Sequence, residues 1–222
     1  MVRAVSRRAA AFLAVAGALM SGCLGGRTPA TELYRLVPVS AAERGGGSVV
    51  GGDGEASGAL AVGAYRAPGV YGGSRIVYRI GESSYGSYPF REWAIPLGDM
   101  LGVLTADIAR GANVTAGDVA YDPPSRRHYT YMWHGAVREF EEVDRDKAVF
   151  ASVALDAQLV RIADDSVVWS ATRRAERRVE RPTMSGIVAA LSSLSAEVIS
   201  ALLADAKTAL SSRPSAGPAR RP

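Results

Sequence analysis

Alternation of apolar and polar side chains over residues 148–162 restricts the fold of this chain more than any other feature. Apolar side chains occupy every second position, at Val149, Ala151, Val153, Leu155, Ala157 and Leu159. Polar side chains lie between them at Ser152, Asp156 and Gln158. Successive side chains of a β-strand point to opposite faces of its sheet, so this pattern predicts a strand with one buried and one solvated face.

A second alternating run follows closely along the chain. Asp164 and Asp165 supply residues that favour a turn. The alternation then resumes at Val167 and Trp169. Two alternating runs separated by turn residues are typical of a β-hairpin with antiparallel strands.

Apolar residues three and four positions apart predict two helices. The first covers about residues 96–110, where Pro96 fits the first turn because no amide hydrogen is needed there. The second covers about residues 185–210. Each helix needs an apolar surface to pack on, and the buried face of the sheet offers one. The chain is therefore predicted to be an α+β fold, an α/β sandwich in which two main helices pack on one face of a mixed, largely antiparallel sheet.

Shorter elements complete a domain that is predicted to span residues 32–212. Strands are expected where aromatic and aliphatic residues concentrate, at Glu32–Val39, Leu60–Tyr65 and Ser74–Ile80. Tyr85–Tyr88 is expected to be a short loop. Residues 41–58 contain seven glycines and predict a flexible loop. No Gly-Lys-Ser/Thr sequence follows, so this loop does not indicate a phosphate site.

The first 22 residues have the pattern of an export signal. Three arginines, Arg3, Arg7 and Arg8, precede an uncharged apolar run from Ala9 to Met20. As a helix this run is about 18 Å long, which is less than the roughly 30 Å hydrocarbon core of a bilayer. The segment is therefore predicted to be a signal peptide that is removed, not a transmembrane anchor.

The segment Met20-Ser21-Gly22-Cys23 resembles the lipobox of bacterial lipoproteins, in which the cysteine is lipidated and becomes the mature N-terminus. Cys23 is the only cysteine of the chain, so it has no disulfide partner. We predict acyl chains, palmitate among them, on Cys23, and several chains hold a protein durably on a membrane. Residues 23–31 then form a tether that spans about 16 Å as flexible coil. An ordinary secretory signal with an incidental cysteine is the alternative.

The charge balance gives no reason to expect a nucleic acid as partner. The chain has 26 basic and 22 acidic residues, but three of its arginines belong to the signal. Three more arginines lie in residues 213–222, a tail rich in Pro, Ser and Ala that is predicted to be disordered. The mature chain is nearly neutral, so the sequence pI of 9.4 does not indicate nucleic-acid binding.

Four short segments carry a resemblance to a known family. They are Tyr34-Arg35-Leu36, Arg75-Ile76-Val77-Tyr78-Arg79 after Ala67-Pro68, the stretch from Arg91 to Leu97, and Glu139-Phe140-Glu141. The strand followed by Trp93, Pro96 and Leu97 in a Trp-x-x-Pro-Leu pattern is the most specific of them. With these segments the mature domain resembles the auxiliary lipoproteins of ABC-type transport systems, a group that includes the lipoprotein of the paraquat-inducible intermembrane-transport operon.

This resemblance implies a periplasmic domain that is tethered to the outer membrane. The implied partners are an ABC transporter and a lipid-binding protein of the mammalian-cell-entry type that bridges the envelope. The implied cargo is phospholipid or another hydrophobic molecule. Leu24, where some lipoproteins have Asp, fits release to the outer membrane under the sorting rule of such lipoproteins. A structural or assembly-factor lipoprotein with no role in transport is the alternative.

The residues predict no enzyme, no cofactor and no metal site. His128 and His134 lie six positions apart in an otherwise aromatic stretch, without Cys, Asp or Glu at a spacing that suits a metal. No Gly-x-Ser-x-Gly sequence is present to place a nucleophilic serine. Both histidines are expected on a loop or an edge strand, in contact with solvent.

Aromatic side chains between the two histidines are the candidate partner contacts. Tyr129, Tyr131 and Trp133 are expected to form an exposed apolar patch, and such patches tend to mark interfaces. Self-association of several copies through the same surface stays open. By contrast, Trp93 is expected in the core. It lies at helical spacing from the apolar residues of the first helix, and a Trp on such an apolar stripe is usually buried.

A run of arginines closes the predicted hairpin, and it has two interpretations. Its members are Arg173, Arg174, Arg177, Arg178 and Arg181. They form either a solvated strand end or a basic patch that faces acidic lipid headgroups or an acidic partner. Glu176 and Glu180 in the same segment favour the first interpretation.

Overall fold

The computed structural model describes residues 29–37 and 58–212. The strands are β1 (Glu32–Tyr34), β2 (Leu60–Val62), β3 (Arg75–Ile80), β4 (Ser84–Trp93), β5 (Val119–Tyr121), β6 (Tyr131–Arg145), β7 (Ala148–Arg161) and β8 (Ser166–Arg178). The helices are α1 (Leu97–Ala112), α2 (Met184–Ser211) and a short 3-10 helix (Gly69–Gly72). All of them belong to the unit of residues 32–222. The predicted signal peptide, Cys23, most of the tether and of the Gly-rich loop, and the predicted tail lie outside the described residues.

Strand β6 organises the sheet because it pairs along both of its edges. On one edge it pairs antiparallel with β7 from end to end, beginning with Tyr131 opposite Arg161. The other edge is shared by two parallel partners. Strand β2 accompanies its first residues, with Leu60 opposite Tyr131, and β3 accompanies its last, with Ile80 opposite Asp144. Strands β4 and β1 follow β3, β5 follows β2, and β8 follows β7.

Both helices pack on the face of the sheet that the alternation in β7 predicted to be buried. The apolar side chains Ala151, Val153, Leu155, Ala157 and Leu159 are all buried there. Helix α2 packs on β7 and β8, and α1 packs on α2 and on the β2 and β5 side. The predicted α+β class, with a mixed, mostly antiparallel sheet and two helices, is confirmed.

Helix α2 is long and apolar enough to cross a membrane by length and composition alone. In the fold, 61% of its most apolar stretch is buried. Leu191, Leu194, Ile199 and Leu202 belong to the hydrophobic core. The apolar composition of this helix is therefore explained by its packing against the sheet.

Element boundaries differ from the sequence prediction at β1 and β4. Tyr85–Tyr88, expected as a loop, lies in β4, because the hairpin continues with Arg79 opposite Tyr85. Trp93 ends β4 and is not part of α1. Its predicted burial is nevertheless correct, since its ring packs edge-on against Phe140 at a centroid distance of 5.7 Å. Strand β1 ends at Tyr34, five residues before its predicted end.

The second face of the long hairpin is only partly solvated, which corrects the prediction for Ser152. Its side chain is fully buried, and its hydroxyl donates a hydrogen bond to Glu139 at 2.8 Å. Arg174 of β8 binds the same Glu139 carboxylate at 2.9 Å. Long charged side chains of the neighbouring strands thus cover a small polar residue, which periodicity alone does not reveal.

Tyr65 connects three parts of the fold through a chain of buried hydrogen bonds. The Trp133 indole donates to the Tyr65 hydroxyl at 3.0 Å, and that hydroxyl lies 2.9 Å from the Thr105 hydroxyl. Thr105 donates its own proton to the Leu101 carbonyl at 2.8 Å. The Tyr65 hydroxyl must therefore donate to Thr105. Burial raises the pKa of Tyr65 to about 12, so the proton that this chain needs is retained.

Two glycines make room for Tyr65. A Cβ on Gly98 would lie 2.1 Å from the Tyr65 carbonyl oxygen, and a Cβ on Gly135 would lie 2.3 Å from the tyrosine ring. The Tyr65 amide also donates to the Gly98 carbonyl at 3.0 Å. These close approaches fix the start of α1 against the residues that follow β2 and against the middle of β6.

We predict that Tyr65→Phe lowers the free energy of unfolding by about 1–3 kcal/mol, because the buried Trp133 indole N–H loses its acceptor. Chemical denaturation followed by circular dichroism measures this loss. Tyr78→Phe is the matched control, since Tyr78 is half-buried and its ring packs against Tyr88. An equal loss in both variants would contradict a special role for the Tyr65 hydroxyl.

Candidate functional site

The four segments that carry the family resemblance lie next to one another in the structure. The Arg79 guanidinium donates to the Glu141 carboxylate at 2.6 Å, which joins β3 to β6. Trp93 packs on Phe140, which joins β4 to β6. The Ala94 amide donates to the Tyr34 carbonyl at 2.7 Å, which joins the end of β4 to β1.

The Arg79–Glu141 ion pair is buried. The Glu141 side chain has no exposed surface, and that of Arg79 is 13% exposed. The Tyr71 hydroxyl of the 3-10 helix donates a second hydrogen bond to the Glu141 carboxylate. Buried carboxylates need such partners, because desolvation without them costs several kcal/mol. This cluster holds strands together and leaves no open position for a ligand.

The remaining motif residues also serve the scaffold. Pro96 precedes α1, and its carbonyl accepts hydrogen bonds from the first amides of the helix. Leu97 and Val77 are buried, and Tyr78 packs against Tyr88 with ring centroids 5.0 Å apart. Arg75 is exposed at the start of β3. Apart from Arg75, the motif residues therefore contribute to the packing of the domain.

A second buried carboxylate lies on the helix-covered face of β6. The Tyr88 hydroxyl donates to Glu142 at 2.7 Å, and Glu142 is 4% exposed. Burial raises the pKa of Glu142 in spite of this hydrogen bond. Arg91 lies 5.9 Å from the centre of the Tyr88 ring. Sequence reasoning did not single out Glu142, because its opposite-face neighbours Glu141 and Val143 are buried as well.

The exposed aromatic patch that the sequence predicted is wrong for one of its three members. Trp133 is fully buried and stacks on Trp169 with ring centroids 5.6 Å apart. Tyr131 is half-buried and packs against the core, and Tyr129 is half-buried in the turn before β6. Trp133 lies opposite Leu159 of β7, whose side chain is buried under the helices. Paired residues point to the same face of a sheet, so Trp133 also points toward the helices.

An open groove follows the aromatic stretch on the other face of the sheet. It has a volume of about 550 Å³, and its polar lining includes Arg66, His134, Arg138 and Asp156. Arg138 donates to Asp156 at 2.5 Å. Burial and the nearby Arg126 lower the pKa of His134. Within residues 29–37 and 58–212, no group of three or more His, Cys, Asp or Glu side chains is placed to hold a metal ion.

The arginine run at the end of β8 is largely used inside the domain. Arg173 binds Asp205 of α2 at 2.5 Å, and Arg177 binds Glu197 of α2 at 2.7 Å. Arg174 binds Glu139 on the opposite face. These ion pairs fix α2 on the sheet and reduce the positive charge that could attract acidic lipid headgroups.

The comparison with protein families identifies the chain. The model described as "ABC-type transport auxiliary lipoprotein component" matches residues 45–202. The chain belongs to this family. Membership confirms the resemblance drawn from the four segments and makes the protein an auxiliary lipoprotein of ABC-type transport, associated with a membrane of the cell envelope. A comparison with curated proteins finds no match.

Solved structures are similar to this chain at low sequence identity, and the first two of them share its fold. Protein XCC0632 from Xanthomonas campestris has a TM-score of 0.67 and 20% identity, over 81% of this chain and 96% of that one. An uncharacterized protein has a TM-score of 0.60 and 14% identity, over 80% of this chain and 99% of that one. A PelC dodecamer from Paraburkholderia phytofirmans has a TM-score of 0.47 and 18% identity, over 74% of this chain and 96% of that one.

We predict that Arg79→Ala lowers the free energy of unfolding by about 3–5 kcal/mol, because it leaves the buried Glu141 carboxylate without its cation. Arg138→Ala is the control, since it breaks an equally short ion pair at an arginine that is 64% exposed. That change should cost about 0–1 kcal/mol. Denaturant titration of both variants measures the difference, and equal losses would contradict the role of burial.

We predict opposite pH dependences for two neighbouring glutamates of β6. The raised pKa of Glu142 means that its ionised form destabilises the fold, so Glu142→Gln should gain stability relative to the natural chain as pH rises above about 4.5. For Glu139, burial alone would raise the pKa, but hydrogen bonds from Arg174 and Ser152 lower it. Glu139→Gln should therefore lose stability relative to the natural chain as pH rises toward about 4.5 from below, and the loss should stay constant above that pH. Thermal unfolding from below to above pH 4.5 tests both signs, and parallel profiles would contradict them.

Proposed function

We propose that the mature protein is held on the outer membrane, facing the periplasm, by acyl chains on Cys23. There it acts as the accessory component of an ABC-type transport system that contains a bridging protein of the mammalian-cell-entry type. The proposed cargo of that system is phospholipid or another hydrophobic molecule. Membership of the family supports the accessory role, and the lipobox-like Met20-Ser21-Gly22-Cys23 supports the anchor.

The packing of the two helices supports a docking role over a carrier role. The apolar side chains of α1 and α2 pack against one face of the sheet. A site for a hydrophobic ligand usually encloses several hundred Å³ with mostly apolar walls. Three open grooves on the described residues measure about 550, 420 and 190 Å³; the two larger ones include charged side chains in their walls, and the smallest is mostly apolar. None of these three suits a lipid acyl chain, so we propose that the protein contacts a partner that carries the cargo.

The proposed partner surface is the start of β6. Tyr129 and Tyr131 each keep part of their surface in contact with solvent. Aromatic side chains are among the residue types that dominate protein interfaces.

We predict that Cys23→Ala abolishes acylation and leaves the signal peptide uncleaved, because the lipoprotein signal peptidase acts only after the thiol is lipidated. Mass spectrometry of the mature N-terminus, in the natural chain and in the variant, measures both effects. An unmodified Cys23 in the natural chain, or a mature N-terminus at another residue, would remove the proposed anchor.

Docking is tested by recovery of the bridging protein with the membrane-extracted lipoprotein. Tyr129→Ser with Tyr131→Ser should reduce recovery several-fold without loss of the folded state by circular dichroism. Tyr85→Ser is the matched control, because Tyr85 is 47% exposed but lies in β4. Stoichiometric phospholipid on the purified lipoprotein, with no bridging protein recovered, would reverse the proposed mechanism. Self-association stays a prediction that light scattering of the same preparation tests.

A further inference from the structure

Exposed apolar side chains concentrate beside the segment that leads to the proposed anchor. Of the large apolar residues exposed in the described chain, three lie in the segment after β1 or in the region of α1. They are Val37 at 56%, Ile95 at 49% and Val103 at 40% exposure. Contiguous exposed apolar surface on a protein marks an interaction site with a partner or a membrane.

A shallow groove forms the centre of this surface. It measures about 190 Å³ and is lined by Leu36, Met100 and Leu104 together with exposed Ile95 and Val103. The chain crosses the groove after β1, and the Val37 amide donates to the Ser192 hydroxyl of α2 at 3.1 Å. The segment of residues 35–37 therefore packs on both helices, so the apolar surface belongs to the folded domain.

Covalent geometry limits how far this surface can lie from acyl chains on Cys23. Eight residues lie between Cys23 and Glu32, the first residue of β1, which gives nine Cα–Cα steps. Fully extended, those steps reach about 30 Å. A domain of about 180 residues has a radius of gyration of about 16 Å, which makes it about 40 Å across. The tether is thus shorter than the domain, and the end that carries β1 must stay near the membrane.

The polar residues around the groove also fit a membrane surface. Arg35 lines the groove and is exposed. Basic side chains next to apolar ones are typical of surfaces that lie in the headgroup region, where the apolar groups enter and the cation meets phosphate. The acidic lining residue, Asp107, is bound to Arg110 at 2.6 Å, so its charge is compensated.

We propose that the groove surface of Val37, Ile95 and Val103 rests in the headgroup layer of the membrane that holds the acyl chains. The proposal rests on acylation of Cys23, and it goes beyond the proposed function because it assigns the orientation of the domain. With the β1 and α1 side on the lipid, β8 lies at the opposite edge of the sheet, away from the membrane.

The test uses the full lipoprotein, purified from membranes and reconstituted in phosphatidylethanolamine and phosphatidylglycerol vesicles that contain nitroxide-labelled lipid. Lipidation blocks the Cys23 thiol, so a cysteine placed at Val103 is the only one that takes an environment-sensitive fluorophore. Val167→Cys is the matched control, because Val167 is 52% exposed and lies in β8. Mass spectrometry first establishes that Cys23 is acylated.

We expect the label at Val103 to lie about 5–10 Å into the headgroup and acyl boundary. Its emission should shift to the blue, and nitroxide lipid should quench it several-fold more than the label at Val167. Replacing Ile95 with Asp in the Val103→Cys chain should reduce the quenching.

Equal, weak quenching at both sites on an acylated protein would overturn this orientation and leave the proposed anchor intact. Disulfide-linked dimers through Val103→Cys, with the label shielded from lipid, would show instead that a second copy covers the groove. An unacylated Cys23 would overturn the anchor and the orientation together.

Discussion

The hydrogen bond from the Trp133 indole to the Tyr65 hydroxyl connects elements that the sheet alone would leave loosely joined. Strand β2 has only three residues and pairs with β6 over that short length. Tyr65 extends the connection by binding Trp133 on one side and Thr105 of α1 on the other. Gly98 and Gly135 permit its close approach. This buried side chain therefore helps to position α1, and with it the apolar groove beside β1.

The spacing of apolar residues predicted those elements in which one side is buried along the whole length. Strand β7, the turn at Asp164 and helix α2 were predicted to within a few residues because one side of each meets the core. The β4 hairpin was missed at Tyr85–Tyr88, where buried and exposed positions are mixed with polar and glycine residues. The parallel pairing of β2 and β3 with a shared edge of β6 has no local pattern at all, since it joins residues about 60 to 70 positions apart.

The candidate site was predictable only in part, for a physical reason. The motif residues Arg79 and Trp93 were found from family resemblance, but their partners Glu141 and Phe140 were recognised as a separate segment and not as contacts. Trp133 was misplaced because an aromatic stretch between two histidines was taken as an exposed patch, although the strand register turns Trp133 inward. Tyr65 was missed because one tyrosine after a short strand gives no signal until the glycines that surround it are brought together in space.

The shared edge of β6 has a consequence for the order in which the domain forms. Strands β6, β7 and β8 and helix α2 follow one another in the chain and contact their sequence neighbours, so they can assemble through local contacts. Strands β1, β4 and β3 pair with one another, and β2 pairs with β5, but only β6 joins these two groups, and contacts between distant residues form slowly. Synthesis delivers the N-terminal strands first. The first half of the domain must therefore wait, with the β2 and β3 edges that β6 later covers unpaired, for the second half to arrive, and this interval exposes those edges to aggregation and proteolysis.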